Sequence, residues 1–151
     1  METLEPILKQ HPFFKGLPAK YIDFIVGCTI HQVFKAGEVI LKEGDSADKF
    51  YLIRSGKVAI YIAQPQEITI QTIGEGDILG WSWLISPYRY RFSARAVENT
   101  RVLALDGKCL REKCEKNSDL GYELLKRLMN IFTERLEATR IQLLDLYNIN
   151  R

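Results

Sequence analysis

The chain holds 151 residues, enough to bury one core without disulfide or metal staples and too few for a second sizeable folded module. Hydrophobic residues make up 46% and charged residues 26%, which excludes intrinsic disorder and fibrous architectures. Lys and Arg number 21 against 19 Asp and Glu, a net charge of +2 that does not by itself advertise a polyanionic partner.

Residues 1–28 read as short helices. The opening Met-Glu-Thr-Leu-Glu-Pro carries acids where a secretory signal needs bases, and no apolar run approaches the length that spans a bilayer. Neither export nor membrane embedding is therefore expected. Leu4, Ile7 and Leu8 sit at helical spacing, Pro12 and Pro18 punctuate, and Pro18 can open a second helix that Gly27 stops. Tyr21, Ile22, Phe24 and Ile25 give that second helix an apolar face for packing.

Residues 29–106 change character, with short runs rich in Val, Ile, Tyr and Phe broken by Gly, Pro or Asp. The clearest strands are Val39-Ile40-Leu41, Phe50-Tyr51-Leu52-Ile53 and Val58-Ala59-Ile60-Tyr61-Ile62, then residues 68–73, 92–97 and 102–105. Ser55-Gly56 between two of these runs suits a two-residue hairpin turn, because Gly tolerates the positive φ such a turn requires. Strands this closely spaced predict a rolled antiparallel sheet of jelly-roll type rather than an α/β layer. A short helix is expected after Gly80, since Trp81 to Ile85 lack breakers before Pro87.

Residues 107–151 turn helical again. A short helix is predicted around residues 108–113, and Asn117-Ser118-Asp119 offer caps for a long one reaching roughly Tyr147. Along it Leu125, Leu128, Phe132, Leu136, Leu143 and Leu146 recur in a narrow seam of coiled-coil type, which points to a homodimer through this helix. Leu124, Ile131 and Leu144 form a partly offset second stripe that could cover the domain's own sheet. The whole chain reads as one domain, residues 1–151: mainly β, with helices at both ends.

The inventory for catalysis is thin. Only two histidines occur, His11 among the N-terminal helices and His31 on a first strand, too few for a metal site built from converging His and carboxylates. No G-x-S-x-G is present and no Cys stands in a known local signature with a His. The three cysteines, Cys28, Cys109 and Cys114, are odd in number and lack C-x-x-C spacing. Neither a disulfide framework nor a zinc knuckle is indicated, and a reducing cytoplasm is the simplest location. No catalytic residue and no metal site are expected.

The most specific text is residues 34–58, with Gly37, Gly44 and Gly56 where strands must reverse and Glu43, Asp45 and Asp48 able to tie turns to the backbone. This stretch resembles the first half of the cyclic nucleotide-binding domain, the regulatory module of catabolite-activator-type transcription factors, kinase regulatory subunits and gated channels. The order of short helices, rolled sheet and long C-terminal helix extends the resemblance over nearly the whole chain. It implies a ligand cassette of the form Gly-Glu, short helix, then Pro-Arg-x-Ala-Thr/Ser before a strand. The matching text is residues 80–96, in which Gly80, the short helix and Ser93 fall in place.

Two positions differ from the family. Trp81 replaces the Glu that holds the ribose hydroxyl, and Tyr90 stands where the phosphate-binding Arg belongs. An indole only donates a hydrogen bond where a carboxylate accepts one, and a phenol offers a neutral bond in place of a charged fork. Arg89 and Arg91 flank the position, and a one-residue slip could swing either inward; Ser82 and Ser93 add hydroxyls, and Trp83 joins Trp81 as stacking surface or as core. The candidate ligand site is thus Gly80, Trp81, Ser82, Trp83, Arg89, Tyr90, Arg91 and Ser93. The resemblance implies a cyclic nucleotide or another aromatic anion as ligand, and an unidentified protein as partner to a ligand-sensing module. A structural module whose pocket Trp81 fills is the alternative. A family member acting directly on DNA would need a helix-turn-helix beyond the long helix, where this sequence runs out at Asn148-Ile149-Asn150-Arg151. With mixed charges along that helix, direct nucleic-acid binding is not expected.

Overall fold

The computed structural model describes residues 4–148. Residues 1–3 of the acidic lead, and residues 149–151 where the sequence was read as stopping short of a further module, lie outside the described residues. Helices α1 (Leu4–Gln10) and α2 (Ala19–Val26) precede eight strands, and α3 (Gly107–Lys116) and α4 (Ser118–Asn148) follow them. The strands are β1 (Thr29–Phe34), β2 (Val39–Leu41), β3 (Lys49–Ser55), β4 (Lys57–Ile62), β5 (Ile68–Gly74), β6 (Ile78–Leu79), β7 (Ser93–Ala96) and β8 (Thr100–Asp106). They form two four-stranded antiparallel sheets, ordered β1-β8-β3-β6 and β2-β7-β4-β5. This is the rolled, mainly β architecture the sequence predicts. The two-residue β6 has no counterpart in the expected strands.

The inner sheet is covered on both faces, and β8 shows why its sequence is a continuous apolar run. Side chains alternate across a strand, so Leu103 and Leu105 face a helix-lined core with Phe14, Phe50, Ile78, Trp83, Leu110 and Leu124. Val102 and Ala104 face the opposite way, into the space between the sheets with Ile53, Val58, Ile60, Leu79 and Ala94. Each fully buried Leu, Ile or Phe contributes about 1.5–3 kcal/mol relative to exposure.

Two expectations are corrected. Ser55-Gly56 is not a hairpin turn: β3 pairs with β6 and β8, whereas β4 pairs with β5 and β7. Gly56, at φ +109°, is the corner at which the chain passes from one sheet to the other, closely packed on Thr100. The cysteines also depart from the expectation of free thiols. Cys28 and Cys109 form a disulfide across a sequence separation of 81, leaving Cys114 free and buried. Long-range approach decides such pairing, and spacing rules are blind to it.

The N-terminal helices are fastened to the roll by His11. Its Nδ1 accepts from the Phe13 N–H (3.1 Å), which leaves Nε2 to donate to the Ile53 carbonyl (3.1 Å). Acceptance at Nδ1 requires the neutral ring, and burial, outweighing the Ile53 bond that favours the charged form, holds the pKa below the ordinary value.

The long helix α4, 31 residues and so roughly 46 Å, divides in two. Its first half buries Leu120, Leu124 and Leu128. Its second half leaves Leu136, Leu143 and Leu146 72%, 52% and 67% exposed. No helix among the described residues is long and apolar enough to cross a membrane.

Candidate ligand cassette

Gly80 opens the cassette in the left-handed region (φ +85°), and the short helix that follows is a single 3-10 turn, Trp81–Trp83. The space beside Gly80 is already occupied. A Cβ placed there would come within 3.1 Å of the Lys49 carbonyl oxygen and 3.2 Å of Tyr90 Cε1. Tyr90 is buried, and its hydroxyl donates to the Lys49 carbonyl (2.7 Å) while accepting from the Lys49 N–H (3.1 Å). Burial, the largest influence, pushes the phenol pKa up, so this oxygen stays neutral. Next to it, Tyr51 is raised to about 12 by burial and by the nearby Asp48.

The arginines that flank Tyr90 are both exposed. The segment runs against the β2–β3 connection, with Ala47 N–H donating to Tyr88 O and Tyr90 N–H to Asp45 O. That pairing sends the exposed Arg89 guanidinium onto the Gly44 carbonyl (3.0 Å), and Arg91 is exposed. Residues 88–92 are not a regular strand, so side-chain alternation did not describe them.

The tryptophans serve different contacts. Trp83 is fully buried, 5.6 Å from the Phe50 ring, and its indole Nε1 has no hydrogen-bond partner among the described residues. Trp81 is half-buried between Phe92 (5.2 Å), Phe132 (5.0 Å) and the Arg135 guanidinium (4.6 Å from the ring centroid). Arg135 also donates to the Ile78 carbonyl (2.8 Å), and burial lowers its pKa. Ser93 Oγ accepts from the Glu43 N–H (3.0 Å), and Ser82 is buried.

Sequence reading missed Phe132, Arg135 and Arg111 as cassette neighbours. Phe132 was read as part of the dimer seam, yet it packs on Trp81, and Leu128 of the same seam lies in the chain's own core at 2% exposure. The available signal was the spacing of positions 128, 132 and 135, one face of α4 at steps of four and three. Arg111 on α3 stacks on Tyr88 at 4.2 Å and donates to the Trp83 carbonyl. Both C-terminal helices therefore grip the cassette. Among the described residues no group of three or more His, Cys, Asp or Glu side chains converges as a metal site.

Comparison with known proteins gives a consistent result. The family model of the cyclic nucleotide-binding domain matches residues 31–117. The chain is 32% identical over 100 residues to a cyclic AMP receptor protein of Thermus thermophilus, covering 65% of this chain and 46% of that protein. It is 26% identical over 145 residues to a CRP-like cAMP-activated global transcriptional regulator of Mycobacterium tuberculosis, covering 95% and 63%. It thus spans about half the length of these curated relatives. A crystal structure of a candidate cyclic nucleotide-binding protein from Geobacter metallireducens superposes with a TM-score of 0.81 at 32% identity, covering 90% of this chain and 99% of that one.

Proposed function

From the premise that the chain belongs to the cyclic nucleotide-binding domain family, we propose that it is a regulatory module, not an enzyme, whose cassette is filled by its own side chains. One observation carries this reading: the Tyr90 ring lies against Gly80 with its hydroxyl bonded twice to the Lys49 backbone. The phosphate of a cyclic nucleotide would have to displace it. Trp81, clasped by Phe92, Phe132 and Arg135, offers no acceptor to a ribose hydroxyl and links the cassette to α4. The module acts on a protein partner rather than on nucleic acid. A change at Trp81 would be felt directly by α4, the helix that presents the exposed apolar stripe.

Cyclic AMP and cyclic GMP are accordingly expected to bind weakly or not at all. Losing the charge-assisted bonds to phosphate and the accepted ribose bond removes roughly 3–5 kcal/mol, on the order of a hundred- to a few thousand-fold in affinity. Calorimetry with both nucleotides checks this, and micromolar binding by the unmodified chain refutes it. Trp81→Glu combined with Tyr90→Arg should raise the affinity at least about ten-fold. A shift of tryptophan fluorescence on adding another aromatic anion would instead favour a sensor of that ligand, since Trp81 lines the cassette.

We further propose a homodimer through the distal half of α4, where Leu136, Leu143 and Leu146 are exposed. Light scattering should give twice the chain mass. Leu143→Asp should give the monomer, because a buried unpaired carboxylate costs several kcal/mol, on the order of 3–5. A monomeric unmodified chain at high micromolar concentration would rule the dimer out.

A further inference from the structure

The disulfide lies where the roll passes into the C-terminal helices. Cys28 follows α2 and its carbonyl accepts from the Asp106 N–H (2.8 Å), the last bond beside the β1–β8 ladder. Asp106 caps α3 by accepting from the Cys109 N–H (2.9 Å). The bond therefore ties the first turn of α3 to the α2–β1 junction. Two residues further, Arg111 projects about 200° around the helix and grips the cassette at Tyr88 and the Trp83 carbonyl. Gly107 adds a close contact: a Cβ there would lie 2.9 Å from Trp83 Cβ. The helix is held on one side by a covalent bond and on the other by the cassette.

We propose that Cys28–Cys109 is a reducible clasp, and that its cleavage by a dithiol frees the first turns of α3 and, through Arg111 and Gly107, loosens the cassette. Cys28 is buried and Cys109 half-buried, so the reductant's thiolate meets Cys109 Sγ. A bond forms between those two sulfurs, and the Cys28–Cys109 bond breaks with its electron pair leaving on Cys28, which takes up a proton. The reductant's second thiolate then bonds to its first sulfur, expelling Cys109 as a thiolate. Protonation of Cys109 completes the exchange. The chain has gained two electrons and two protons, and the dithiol has become a cyclic disulfide. Cys114 stays out of this chemistry, because burial lifts its thiol to about 11 and keeps it protonated and inert.

Dithiothreitol and the full chain provide the test. Thiol titration in denaturant should find one thiol per chain in the oxidised protein and three after reduction. Hydrogen exchange read by mass spectrometry should show residues 107–116 and 81–90 exchanging at least about ten-fold faster after reduction, with β4 and β5 unchanged. Cys28→Ser should reproduce the reduced profile with or without dithiothreitol. Three thiols persisting after treatment with excess oxidised glutathione, a stronger oxidant, would overturn the clasp. So would equal exchange of α3 and the cassette in both redox states, or acceleration spread evenly over the whole chain. None of these readouts involves a nucleotide, so they stand apart from the calorimetry on the cassette.

Discussion

Cys109→Ser lowers the unfolding free energy by about 2–4 kcal/mol. The bond closes a sequence separation of 81, long enough for loop-closure entropy in the unfolded chain to be substantial. At this chain length the loss corresponds to a fall of roughly 5–15 °C in Tm. Denaturant titration distinguishes the mechanism. An uncrosslinked unfolded chain exposes more surface, so the slope of free energy against denaturant should steepen as the midpoint falls. Dithiothreitol added to the unmodified protein should reproduce both changes. Equal midpoints for the oxidised and reduced chains would show that the crosslink does not stabilise the fold.

Gly56→Ala is expected to cost at least about 3 kcal/mol, through backbone strain at positive φ and overlap with atoms that cannot retreat. The new Cβ would fall 2.5 Å from Thr100 Oγ1, 2.6 Å from Thr100 Cα and 2.8 Å from the Asn99 carbonyl oxygen. Thr100 Oγ1 is itself engaged, donating within reach of the Glu98 carbonyl (2.8 Å) and the Lys57 carbonyl (3.3 Å). Relief would require opening the start of β8 or the corner between the sheets. Gly37→Ala supplies the control, since Gly37 has a similar positive φ (+90°) but nothing within 4 Å of its added Cβ. It should cost only the strain, about 1–2 kcal/mol. If chemical denaturation finds the two variants equally stable, packing at the corner is not what Gly56 serves.

Much of the architecture is legible in the residues because it rests on local periodicity. Alternation and β-branched runs marked six of the eight strands, the change of character at Thr29 marked where β1 begins, and the caps at Asn117-Ser118-Asp119 located the start of α4. Residues 34–58 and 80–96 identified the family and pointed to Trp81 and Tyr90 as departures from it. A chemical difference between indole and carboxylate, or phenol and guanidinium, is a property of the side chain alone, so no coordinates were needed to see it.

What the side chains do with that difference belongs to the tertiary structure. Tyr90 closes on Gly80 because the β2–β3 connection brings the Lys49 backbone within hydrogen-bond reach of its hydroxyl. Phe132 leaves the α4 seam for Trp81, and Arg135 joins it there, because the cassette lies under that face of the helix. Gly56 reads the same on paper in a hairpin as at a crossing between sheets, since both need a positive φ, and only the partners of β3 and β4 separate the two. Cys28 and Cys109 meet because β1 and β8 are neighbours in one sheet, which brings residues 81 apart into bonding distance. Local sequence governs conformations set by a few adjacent residues. Contacts between distant segments depend on how the completed elements pack, and that information is spread over the whole chain.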